Sequence, residues 1–156
     1  MIFSILPATI TTLFLSANLI TTLTFKDDVR SFIYGGTKEE VFSELANNNK
    51  TLVIKAKKKG IDTNLIIVTA KNRYYFHVKD TDKGPHQFIE VEDGEINTSF
   101  RKIKETENFD LFEGASSIMV VSKKRNGIIA NGEKITSKEF FSKGTPLFID
   151  GERILN

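Results

Sequence analysis

Histidine is the side chain that most readily moves a proton at neutral pH, and the chain carries two, His77 and His86. One falls in a predicted strand and the other in a predicted turn. Neither has a partner at a spacing that marks a catalytic pair, so both read as surface or half-buried side chains. The run Gly114-Ala115-Ser116-Ser117-Ile118 begins like a nucleophile elbow but lacks the closing glycine, and it reads as a loop. Asp80, Asp82 and Gly84 have part of the spacing of a calcium loop. There the glycine comes one position early, Pro85 occupies its place and Val91 stands where a bidentate glutamate belongs, so an Asx turn is expected. No glycine loop followed by lysine cradles a phosphate, and with no cysteine there is neither a disulfide nor a thiolate metal site. The sequence therefore predicts no catalytic residues, no metal site and no cofactor.

The basic residues form two clusters. Lys55, Lys57, Lys58 and Lys59 lie along and beyond a predicted strand, and Lys123-Lys124-Arg125 precedes the Asn126-Gly127 turn. Such patches meet acidic partners or lipid headgroups, but lysines on a strand edge also keep one sheet from pairing with another, and that reading is preferred. The formal net charge is only +2, which gives little field for steering nucleic acid, so nucleic-acid partners are not expected.

With 156 residues, 40% hydrophobic and 27% charged, the chain fits one globular domain spanning 1–156. Met1 to Phe25 holds no charged residue and is long enough to cross a bilayer. It lacks the basic start of a signal peptide, however, and its threonines favour two strands, Thr9–Leu15 and Leu19–Phe25, around a turn at Ser16-Ala17-Asn18.

Further strand signals fall at Val29–Tyr34, Thr51–Lys57, Leu65–Val68 and Tyr74–Lys79. In Thr51–Lys57, Leu52, Ile54 and Ala56 alternate with Val53, Lys55 and Lys57. Leu65–Val68 is apolar on both faces and predicts a central strand covered from two sides; a tight turn then leads to Tyr74, Phe76 and Val78 on one face and Tyr75 and His77 on the other. Weaker strands follow at Gln87–Val91 and Thr98–Lys104. Ser117–Lys123 is expected to form a hairpin with Ile128–Ala130 through Asn126-Gly127, and Asn131-Gly132 and Asp150-Gly151 offer two more hairpin turns.

Two short helices are predicted. The first has Thr37 and Glu40 as a capping box, carries Val41, Phe42 and Leu45, and stops at Asn47-Asn48-Asn49; the second is one turn from Thr136 carrying Phe140 and Phe141. The phrases Gly132-Glu133-Lys134-Ile135 and Gly151-Glu152-Arg153-Ile154 are alike but too short to establish a repeat. Together these elements predict an all-β fold, an antiparallel β-sandwich with one or two short helices.

The run Thr63-Asn64-Leu65-Ile66-Ile67-Val68-Thr69, followed by Asn72-Arg73-Tyr74-Tyr75-Phe76-His77-Val78, resembles a hairpin in the amino-terminal domain of the TrbG-type periplasmic core-complex component of type IV secretion and conjugal transfer systems. Leu19–Phe25 before Asp27-Asp28-Val29, the Tyr34-Gly35-Gly36 turn and the strand Leu52-Val53-Ile54-Lys55 fall in similar order, so the resemblance covers about residues 12–79. Residues 80–156 form a β-rich extension in which the family's carboxyl-terminal domain is not recognisable.

The resemblance implies a β-sandwich in the periplasm that works by protein contact, as a structural or assembly subunit of a cell-envelope translocation complex. It would associate with copies of itself and with other envelope proteins, touching membrane at most indirectly. The residues that carry it, Thr63, Asn64, Leu65, Thr69, Arg73 and Tyr75, together with Val53, Lys55 and Lys57 on the lysine-bearing strand, are the candidate interface. The rival readings are a ligand-binding module that stacks tyrosines on cell-wall glycan, and a small hydrolase using His77 or His86 as base.

Overall fold

The computed structural model describes all 156 residues, Met1–Asn156, and is all-β, with seventeen strands and no helix. No helix in it is long and apolar enough to cross a membrane. The chain opens with β1 (Ile2–Ile5) and divides into two compact units, one of Met1–Ile2 with Ile10–Glu92 and one of Phe3–Thr9 with Asp93–Asn156.

The first unit holds β2 (Ile10–Leu15), β3 (Thr21–Phe25), β4 (Val29–Tyr34), β5 (Val41–Ala46), β6 (Thr51–Ala56), β7 (Asp62–Thr69), β8 (Arg73–Asp80) and most of β9 (Phe88–Asp93). Strands β9, β3, β6 and β5 lie in that order in one sheet, and β2, β8, β7 and β4 in another. Period-two alternation divides each strand between core and surface. Leu52, Ile54 and Ala56 are buried while Val53 and Lys55 are half-buried, and Tyr74, Phe76 and Val78 are buried while Tyr75 and His77 are half-buried. In β7 the alternation overrides composition. Leu65 and Ile67 are fully buried but Ile66 and Val68 only half-buried, so this strand is central in its sheet yet covered on one face.

The expected hairpin of β7 and β8 forms in antiparallel register from Asp62↔Lys79 to Val68↔Arg73. Thr69 closes its turn: its backbone N–H donates to the Asn72 carbonyl at 2.8 Å, and its hydroxyl accepts the Asn72 N–H at 3.1 Å.

Several expectations are corrected. The sheets of the first unit are mixed, not antiparallel throughout, because β2 runs parallel to β8 and β3 parallel to β9. Strands β2 and β3 therefore lie in different sheets and form no hairpin at Ser16-Ala17-Asn18. The helix expected after Thr37 is strand β5. Half of the capping box is real, since the Glu40 carboxylate accepts the Thr37 N–H at 3.0 Å. A helix this short has little stability of its own, however, and β6 offers six residues of antiparallel pairing from Val41↔Ala56 to Ala46↔Thr51. The asparagines meant to stop that helix are the β5–β6 turn: Asn47, Asn48 and Asn49 have φ of 53°, 52° and 65°, the left-handed region asparagine tolerates.

The second unit contains β10 (Arg101–Glu105), β11 (Phe109–Glu113), β12 (Ser117–Ser122), β13 (Ile128–Ala130), β14 (Glu133–Ile135), β15 (Lys138–Ser142), β16 (Leu147–Ile149) and β17 (Glu152–Leu155). Two antiparallel sheets, β10-β11-β12-β15 and β14-β13-β16-β17, contribute to one core that includes Leu111, Val120, Ile128, Ala130, Phe141, Leu147 and Ile149. None of the four sheets closes into a barrel. The helical turn expected at Thr136 is strand β15, where Phe140 and Phe141 point to opposite faces, and only Phe141 enters the core. Strands β12 and β13 belong to different sheets, so the Asn126-Gly127 turn links sheets and closes no hairpin.

The two similar phrases are structurally equivalent. Asn131-Gly132 and Asp150-Gly151 each hold both residues at positive φ (46° and 83°, 50° and 83°), the geometry of a tight primed hairpin turn, and each is followed by the second strand of a hairpin. The hairpins cap each other. Asn131 Oδ1 accepts the Phe148 N–H at 2.9 Å, and Asp150 Oδ1 accepts the Ile129 N–H at 2.9 Å. Replacing Asp150 by Ala removes that acceptor and strains the turn, with an expected loss of about 1–2 kcal/mol, whereas Asp150→Asn keeps both and stays near wild type. Urea denaturation of the two variants checks this; equal losses would refute the capping role.

Candidate functional site

Register assembles a row of apolar side chains across the outward face of the β2-β8-β7-β4 sheet. Ile33 stands opposite Ile66, Ile66 opposite Tyr75, and Tyr75 opposite Ile10. The four come from positions far apart in the chain and span about 14 Å at ordinary strand spacing. The two ends are open, with Ile33 62% and Ile10 67% exposed. The rows on either side are more polar: Ser31, Val68 and Arg73 on one, Asn64, His77 and Thr12 on the other.

The candidate interface residues distribute over several environments. Tyr75 sits inside the apolar row, with Arg73 and Asn64 beside it in the flanking rows. Leu65 is fully buried, and Thr69 is buried and bound to the turn, so both serve the fold. Thr63 and Asn64 line the Gly35 turn, where the Asn64 carbonyl accepts the Gly35 N–H at 2.8 Å. A Cβ at Gly35 would lie 2.0 Å from Asn64 Oδ1 and 2.7 Å from Thr63 Oγ1. Val53 and Lys55 lie on the other sheet of this unit, in rows with Phe88, Thr22 and Glu44 and with Phe42, and exposed Lys57 follows β6. That face mixes apolar and charged groups, unlike the row around Tyr75. Ile10, Ile33 and Ile66 lie outside the candidate interface, because an isoleucine in a strand carries no local signal and only the register reveals the row.

The histidines separate. His86 is buried, its Nδ1 accepts the Phe14 N–H at 2.9 Å and its ring lies 5.6 Å from that of Phe14. A nitrogen that accepts carries no proton, so this ring is held as the neutral Nε2–H tautomer. His77 is half-exposed and hydrogen-bonded to Asp62 across β7 and β8, and that bond, with Lys79 second, holds the Asp62 carboxyl below its ordinary range.

The other chemistry-bearing groups serve as braces. Ser116 Oγ accepts the Glu95 N–H at 2.9 Å and donates to the Glu95 carbonyl at 3.0 Å. Asp80 accepts the Ile61 N–H at 2.6 Å, while Asp82 pairs with Lys59 at 3.2 Å, so the two aspartates serve different partners. No three histidine or carboxylate side chains converge as metal ligands would.

The second unit carries an open groove of about 430 Å³ lined by Asn97, Ser99, Phe100, Arg101, Glu113 and Lys143, among others. Glu113 pairs with Lys143 at 3.0 Å and Arg101 at 3.1 Å, and Lys143 also donates to the Gly114 carbonyl at 2.9 Å. Lys143 first, then Arg101, holds the Glu113 carboxyl below its ordinary range.

Compared with known proteins, the chain matches no protein-family model and no curated protein.

Two expectations follow. His86→Ala leaves the Phe14 N–H without its acceptor and opens a hole, for a loss of about 2–4 kcal/mol, and His86→Asn, whose Oδ1 accepts in the same place, recovers part of it. Thermal unfolding distinguishes the pair; an Asn variant as damaged as the Ala variant would rule out the acceptor role. Because the folded-state pKa of Glu113 is depressed, its stabilisation is present above the unfolded carboxylate pKa and is lost as pH falls through the folded value. Glu113→Gln should therefore be less stable than wild type at pH 7, with the difference vanishing in acid, as urea titrations at both pH values would show.

Proposed function

We propose that the chain is a non-catalytic assembly subunit of a cell-envelope translocation complex, of the type IV secretion or conjugal transfer kind, and that it makes protein contact through the outward face of β2-β8-β7-β4. The observation that carries this reading is the row Ile33, Ile66, Tyr75, Ile10, an apolar stripe with open ends and polar margins, the pattern of a contact surface with a hydrophobic centre and a polar rim. The resemblance of the Thr63–Val78 hairpin to the TrbG-type family supports the envelope setting and a periplasmic location, and the same hairpin contributes Ile66 and Tyr75 to the row.

The finer architecture belongs to this reading: a β-sandwich in the first unit, in keeping with the burial of Leu23, Leu52 and Ile54 on one sheet and of Leu13, Leu65, Ile67 and Phe76 on the other, all fully or almost fully buried. A glycan platform is less well supported. Sugar rings stack on open aromatic faces, whereas the row's one aromatic, Tyr75, is half-buried between isoleucines, and Tyr74 is buried.

A photo-activated cross-linker placed at position 33 or 10 in the producing cell is expected to yield an adduct to an envelope protein, which Ile33→Glu or Ile10→Glu at the unlabelled position suppresses without lowering the melting temperature. No protein adduct from either position, with saturable binding of cell-wall fragments by the purified chain, would overturn the reading in favour of a ligand-binding module.

A further inference from the structure

The sheet β10-β11-β12-β15 has two unlike edges. Strand β10 is Arg-Lys-Ile-Lys-Glu, and all five of its residues are exposed, Ile103 included. Arg101 pairs with Glu113, and Lys102 with Glu105 and Asp110, but Lys104 has no carboxylate within ion-pair distance. At the other edge, the far end of β15 is covered: Ser4 exchanges backbone hydrogen bonds with Lys143, and the Ser142 hydroxyl accepts the Leu6 N–H. Its near end, Lys138 to Phe140, is open. The Phe140 N–H is taken by the carboxylate of the preceding residue, Glu139, at 3.1 Å, which marks it as an amide no neighbouring strand claims.

Beside that open end runs a groove of about 530 Å³ lined by Leu6, Pro7, Ile96 and Phe140 and by two carboxylates, Glu95 and Glu139. Neither glutamate has an ion-pair partner, and Ile96 is 57% exposed. One edge of the sheet thus offers Lys104 and Glu105 beside an exposed isoleucine, and the other offers Lys138, Glu139 and Glu95 beside an apolar groove.

We infer that β10 of one copy of this chain docks along the open end of β15 of a second copy, Ile103 entering the groove and Lys104 meeting Glu139 and Glu95. Charge selects this pairing. In antiparallel register, Ile103 opposite Phe140 sets Lys104 against Glu139 and Glu105 against Lys138, so the unlike edges are complementary at both charged positions. The sheet is antiparallel with four strands, so β10 runs opposite to β15, and an incoming β10 in antiparallel register leaves the second copy in the orientation of the first. Such a contact is head to tail and propagates into a ring or a filament, not a two-fold dimer. The inference rests on the assembly reading above and adds to it a surface on the second unit.

Sedimentation velocity of the full chain across a concentration series tests it. Wild type is expected to form concentration-dependent oligomers larger than dimers that weaken with salt. Ile103→Glu with Lys104→Glu breaks one edge, Glu95→Lys with Glu139→Lys breaks the other, and each alone should weaken association at least about tenfold. An equimolar mixture of the two sets each intact edge against an intact one and each charge-reversed edge against the other, so association beyond heterodimers should recover in part. The charge-neutral pair Lys104→Gln and Glu139→Gln, checked for unchanged melting temperature, should act in the same direction with smaller effect.

A wild type that stays monomeric throughout, or oligomers that all these variants leave intact, would overturn the edge pairing. Protein adducts at positions 33 and 10 would in that case leave the assembly reading standing through the first unit alone, whereas loss of those adducts with edge pairing intact would sink the wider reading only.

Discussion

A chain without a helix cannot satisfy its backbone locally. In a helix each N–H finds a carbonyl four residues away, but here the partners of most amides lie on other strands, some more than sixty residues distant, as β2 with β8 and β3 with β9 show. Everything else in this protein follows from that requirement together with the period of two that pairing imposes on side chains. Once β7 is hydrogen-bonded between β8 and β4, Leu65 and Ile67 must face one way and Ile66 and Val68 the other, whatever their hydrophobicity. Apolar composition beyond what one face can bury is thereby delivered to the surface.

The surface of interest is a product of topology, not of any local motif. Ile10, Ile33, Ile66 and Tyr75 sit on four strands in the order β2, β8, β7, β4, and a one-residue slip in any of the three registers would turn one strand's contribution inward and remove its member from the row. The residues that hold these registers are accordingly as important to the row as its members. Thr69 fastens the β7–β8 turn, the Asn64 carbonyl receives Gly35 at the end of β4, and His86 accepts the Phe14 amide on β2. These include the polar groups that sequence inspection singles out for chemistry, and in the fold their hydrogen-bonding capacity is directed at backbone.

What could be read from the sequence was what depends on short range. The alternation of Thr51–Ala56 and of Tyr74–Val78, and the primed turns at Asn131-Gly132 and Asp150-Gly151, are set by neighbours two residues away or by the φ that glycine, asparagine and aspartate allow. The stretch after Thr37 misled because its capping signal is physically present and local, while the pairing that outweighs it comes from β6. The parallel pairs had no local signature at all. Of the apolar row only Tyr75 is legible in the sequence, since its neighbours become neighbours only through register.

The paired hairpins of the second unit show the same logic at a smaller scale. Residues 128–135 and 147–154 resemble one another in sequence because each must supply an Asx residue at positive φ, a glycine after it and a strand that returns to the core. Similarity of that kind would arise in any two tight hairpins. The reciprocal bonds, Asn131 to the Phe148 amide and Asp150 to the Ile129 amide, impose more, since each turn completes the hydrogen bonding of the other hairpin. Neither turn residue is then free to change alone, and the likeness of the two phrases records a mutual structural requirement where a comparison of strings shows only a few shared letters.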